Sequence, residues 1–158
     1  MENYIKIQPE VISGLGEKTT FKEFEPPFKT ILNLHIDLED WLGDDLMECY
    51  PAFIITEKLK EGLENSVFSG FKFSEMEVSK AEYFEDNYQL EKPVPIFFWL
   101  QVIGQEFADD ILLNDKNELY LKPKLLKYLQ GKFNVNYLQV EPQRNEFDDL
   151  LDNMLLES

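Results

Sequence analysis

Cys49 and His35 are the only cysteine and the only histidine of the chain, and Asp37 stands two residues past the histidine. A thiol, an imidazole and a carboxylate are the parts of a nucleophile, base and orienting group. No motif surrounds either residue, and one of each arises by chance in a chain of 158 residues. With 31 acids, no single carboxylate pair stands out as acid and base, and glycosidase chemistry needs a separation that sequence does not supply. Asp109, Asp110, Asn114, Asp115 and Asn117 offer oxygen ligands, but the spacing lacks the turn glycine and terminal glutamate of a calcium loop. It predicts a hairpin loop with solvated acids. Gly14 and Gly16 do not amount to a phosphate loop. The expectation is a chain with no catalytic residues, no cofactor and no metal.

Two acidic–aromatic segments carry a different chemistry. Asp37, Glu39, Asp40, Asp44, Asp45 and Glu48 surround Trp41, and Glu82, Glu85 and Asp86 accompany Tyr83 and Phe84. Interfaces concentrate energy in buried aromatics, while the surrounding charges set on-rate and partner choice. The plainer reading makes the aromatics core and the acids a solvated face. Two such segments in one chain favour a partner-binding surface built from Asp37, Glu39, Asp40, Trp41, Asp44, Asp45, Glu48, Glu82, Tyr83, Glu85 and Asp86.

The charge balance points the same way. Against the 31 acids stand 15 bases, a net charge of −16 and a pI near 4.3. Such a field repels nucleic acid and anionic membranes and attracts basic partners. Arg144 is the only arginine, where a phosphate-binding protein uses several. Solubility alone needs a net charge of only about 2–8 on a small domain. A lone cysteine gives no internal disulfide, the start Met1-Glu2-Asn3-Tyr4 is unlike a secretion signal, and the run Ile96–Ile103 is too short to span a bilayer. These features lead to the expectation of a cytoplasmic protein.

The elements that position these residues follow from periodicity. Strands are expected near residues 3–8, over Ile31–Ile36 with His35 free to reach water, and through Met76 and Val78. Ile96–Ile103, apolar on both faces, predicts a central strand. A loop with a short helical turn is expected over the first acidic segment. Ile111–Leu113 and Glu118–Leu121 form a hairpin, and Asn145 caps a last helix with Phe147, Leu150, Leu151, Met154 and Leu155 on one face. Phe53 to Glu75 reads as apolar run, Thr56 cap, amphipathic turns with Leu59 and Leu63, and a second apolar run from Gly70-Phe71. Roughly 66 residues on the pattern returns, with Pro123 at the helix start, Leu125 and Leu129 for the leucines, and Tyr137 for Phe71. The predicted fold is a single α+β domain over 1–158, with a mixed or antiparallel sheet, short helices from two repeated strand–helix–strand units and a C-terminal helix.

Over Phe53–Val78 and again over Asn117–Pro142, this pattern resembles a group of bacterial polymorphic-toxin immunity proteins. That group's capping Ser/Thr is present at Thr56 and replaced by Lys122 in the second copy. The resemblance implies a small cytosolic protein that binds and neutralises a cognate toxin domain, often a nuclease, without catalysis of its own. Two other classes compete: a small carboxylate- or metal-dependent hydrolase, and an acidic adaptor that recognises its partner through an apolar patch.

Overall fold

Strands that are apolar on both faces need cover on both faces, and the molecule is built round that requirement. The computed structural model describes residues 3–12, 14–28, 30–38, 41–80 and 94–141. In chain order the strands are β1 (Ile5–Gln8), β2 (Glu10–Val11), β3 (Thr20–Phe21), β4 (Ile31–Asn33), β5 (His35–Leu38), β6 (Leu46–Cys49) and β7 (Ala52–Thr56). They continue as β8 (Phe71–Ser74), β9 (Glu77–Lys80), β10 (Phe97–Val102), β11 (Ile111–Leu113), β12 (Leu119–Leu121) and β13 (Gln139–Val140). Helix α1 (Glu57–Glu64) follows β7, and α2 (Pro123–Lys132) follows β12. The fold is mixed α and β, and rich in sheet.

A five-stranded sheet runs in the order β2-β6-β7-β10-β8. Alternation along its strands splits the side chains between two cores. Leu46, Phe53, Ile55 and Leu100 enter the first core, with Leu59 and Leu63 of α1, Leu125, Leu126 and Leu129 of α2, and Ile7, Ile111, Leu119 and Leu121 of the second sheet. Met47, Ala52, Ile54 and Phe97 enter the other, with Leu34, Ile36 and Leu38. Each fully buried leucine or isoleucine contributes about 1.5–3 kcal/mol, so both faces are strongly held. β10 pairs on both sides, with β7 and β8, and lies second from the edge; the middle strand is β7.

The second sheet has the order β11-β12-β1-β13. Here β12 and β13 flank β1 and both run antiparallel to it, just as β7 and β8 flank β10. Thr56 caps α1, its Oγ1 accepting from Leu59 N at 3.4 Å. Lys122 makes no side-chain cap, and Pro123 opens α2 instead.

Ile31–Ile36 is not one strand. It breaks at Leu34, so that β4 pairs with β3 and β5 pairs in parallel with β9. Leu34, Ile36 and Leu38 are buried in the second core, whereas Leu32 is exposed and Ile31 only packs against that core's edge. The short helical turn expected in the first acidic segment does not occur among its described residues, where irregular chain from Trp41 to Asp45 leads into β6. The last helix expected from Asn145 lies outside the described residues.

Candidate functional site

The two acidic–aromatic segments meet the described structure at β5 and β9. These strands are parallel, with His35 opposite Glu77, Asp37 opposite Ser79 and Leu38 opposite Lys80. The first segment therefore leaves β5 next to the point where the second leaves β9. Glu39, Asp40, Glu82, Tyr83, Glu85 and Asp86 themselves lie outside the described residues.

Asp37 is exposed and accepts a hydrogen bond from Ser79 Oγ. Ser79 Oγ also lies 2.7 Å from His35 Nε2, and His35 Nδ1 accepts from Lys18 N at 3.2 Å. An accepting Nδ1 leaves the ring hydrogen on Nε2, so the imidazole donates to the serine and the serine donates to the aspartate. Nucleophile activation needs the reverse, an imidazole that takes the serine proton. The expectation that His35 reaches water is overturned: it is 4% exposed. A Cβ on Gly16 would lie 2.1 Å from His35 Nδ1, so only glycine lets this loop close over the ring. Thr19 completes the enclosure, its Oγ1 donating to His35 O at 2.8 Å and accepting from His35 N at 3.0 Å. Cys49 is buried in the second core. Beside the histidine, Lys18 Nζ binds Glu77 Oε1 at 2.7 Å, which holds the Glu77 carboxyl below its ordinary value.

Asp44, Asp45 and Glu48, expected among the partner-binding acids, turn inward. Asp44 is 0% exposed, and its two oxygens accept from Asn136 N and Tyr137 N, each at 2.9 Å. Asp45, also buried, accepts from Thr56 Oγ1 at 2.7 Å and from Asn134 N at 2.8 Å. Its own amide donates to Asn134 O at 2.7 Å. These acids fasten the turn after α2 to the start of α1, and so join the two sheets. Carboxylates spent on buried amides cannot meet a partner. Trp41 is half-buried, its Nε1 donating to Asp44 O at 2.9 Å and its ring edge-on to Phe97 at 6.0 Å. It packs on the second core rather than standing clear as an anchor.

Glu48 lies 8% exposed at a cleft of about 180 Å³, lined among others by Lys6, Gln8, Tyr50, Lys116 and Glu118. Burial pushes its carboxyl up, opposed by a hydrogen bond from Gln8 Nε2. Lys6 pairs with Glu118, which holds the Glu118 carboxyl down and raises the lysine. Sequence reasoning missed this cleft. Its signal was the same-face spacing of Lys6 and Gln8 on β1, but their partners lie about 40 and 110 residues away.

Among the described residues no group of three or more His, Cys, Asp or Glu is placed to hold a metal ion, and no helix is long and apolar enough to cross a membrane. No family model matches the chain, and no curated protein or solved structure matches it.

Proposed function

We propose that the chain is a non-catalytic protein that binds and neutralises a basic partner, an immunity protein for a cognate toxin domain such as a nuclease. The observation that carries this reading is the parallel pairing of β5 and β9. With Leu38 opposite Lys80, two acid-rich, aromatic-bearing segments start side by side in a chain of net charge −16. Asp37, Glu39, Asp40, Glu82, Tyr83, Glu85 and Asp86 are the binding residues on this reading. A basic cleft made to grip nucleic acid is a natural complement, and charge steering makes such association fast and salt-sensitive.

The test is to purify the tagged full chain from its source cell at low salt, identify what co-purifies, and measure association with that protein alone. A basic partner whose on-rate falls steeply with NaCl, and falls again in Glu82→Gln/Glu85→Gln/Asp86→Asn, supports the reading. A neutral or acidic partner, or an on-rate indifferent to salt and to that triple variant, overturns it.

One observation favours a second reading. Glu48, a carboxyl raised by burial beside an open cleft, is the group that a carboxylate-dependent hydrolase would use as an acid. Glu118, the other carboxylate there, is paired with Lys6, which leaves the base role without a free group. We also infer that β7–α1–β8 and β12–α2–β13 are two copies of one unit, since each places a foreign antiparallel strand between the strands that flank its helix.

A further inference from the structure

Phe107 combines two costs that the fold does not need. Its φ is +69°, a left-handed conformation that is a real outlier for a bulky side chain, and its ring is 78% exposed. Glycine or asparagine would serve the backbone here without strain. The turn around it is nonetheless held firmly. Buried Tyr4 reaches out to it, its Oη accepting from Phe107 N at 3.1 Å and donating to Asp109 O at 2.7 Å. Gln105 N donates to Asp109 Oδ2 at 2.8 Å. A Cβ on Gly104 would lie 1.8 Å from Ile111 O, so the turn lies directly on β11. The neighbouring loop is laced to it through Asp110 N to Ser69 O at 3.0 Å and Ser69 N to Asp110 Oδ2 at 2.9 Å. That loop carries Val67, 96% exposed. Strained residues held in place by their surroundings cluster at functional sites.

We propose that Phe107 is an apolar anchor that inserts into a pocket on the basic partner, with Glu106, Asp109 and Asp110 meeting the basic rim of that pocket. The inference rests on the proposed function, because it takes the same partner and adds a contact apart from the β5–β9 segments. Charge complementarity selects this occupant: three acids lie within three residues of Phe107 in the chain, and the Gln105 amide holds the Asp109 carboxyl below its ordinary value. An aromatic whose ordering cost has been met before binding makes an efficient hot spot, since little freedom remains to be lost.

Two measurements test it. In the free full chain, Phe107→Gly relieves the backbone strain and removes a ring that packs little, so Tm rises by about 1–3 °C. A fall in Tm assigns the ring to the fold and overturns the inference. The second uses the basic protein that co-purifies with the wild-type chain, expressed separately and titrated calorimetrically. Phe107→Gly and Phe107→Ala weaken its binding at least about 30-fold, while Phe24→Ala, at a still more exposed phenylalanine of the β3–β4 hairpin, changes it less than about 3-fold. Equal binding by wild type and Phe107→Gly overturns the anchor and leaves the proposed function standing. A wild-type chain that retains no basic protein overturns both.

Discussion

Three carboxylates, Asp44, Glu48 and Asp37, stand in different surroundings, and each makes a different demand on mutagenesis. Asp44 spends both oxygens on buried backbone amides. Asp44→Asn turns one acceptor into a donor facing an N–H, and urea denaturation should register a loss of about 2–4 kcal/mol; a loss under 1 kcal/mol would show that the turn after α2 does not depend on the clasp. Glu48 behaves oppositely. Burial raises its carboxyl above the ordinary value of 4.5, so the folded chain holds that proton more tightly than the unfolded chain. The resulting stabilisation is full below the unfolded value and is lost as pH climbs through the raised folded one. Glu48→Gln, which still offers Gln8 an acceptor, should therefore match wild type near pH 4 and exceed its stability at pH 7; a variant weaker than wild type at pH 7 would refute the sign. Asp37 is different again, exposed and bonded at the surface to Ser79. Composition showed that all these residues were acidic but not which faced inward, because their partners on β1 and after α2 are distant in sequence.

Local grammar served better for elements. Thr56 before an amphipathic run marks a helix start because its hydroxyl satisfies an end amide, and α1 begins at the next residue. The same hydroxyl donates to Asp45. Thr56→Val thus removes a cap and strips a buried carboxylate of a donor, and should cost about 2–4 kcal/mol, more than the roughly 1 kcal/mol of an isolated cap. Chemical denaturation decides between them, and a loss near 1 kcal/mol would separate the cap from the clasp. Pro123 announced α2 and Asn114–Asn117 announced the hairpin for equally local reasons. The break at Leu34 was not legible, since continuous alternation from Ile31 to Ile36 cannot record that its two halves pair with different strands, β3 and β9. Nor was the burial of His35, which depends on Gly16 and Thr19 folding over it from earlier in the chain.

For the molecule as a whole, charge sets the balance between standing alone and binding. The four ion pairs seen between described residues include surface contacts of the kind worth about 0–1 kcal/mol each. A net charge of −16 therefore leaves repulsion ahead of attraction in the free chain. Screening acts mainly on exposed charges, with a Debye length that falls from about 30 Å at 0.01 M salt to about 8 Å at 0.15 M, and much less on buried groups such as Asp44 and Asp45. Raising NaCl over that range should thus raise the Tm of the isolated protein by several degrees, while an uncharged osmolyte at matched osmolality should give no such step. A Tm that stays flat or falls with NaCl would mean that the chain already neutralises its own field, and the argument for a basic partner would lose its energetic basis. The same added salt should loosen the proposed complex, in which a basic partner's charges would supply the screening that the ions otherwise provide. Opposite responses of fold and complex to one variable are what a surface of uncompensated acids requires; apolar docking would leave the complex nearly indifferent to it.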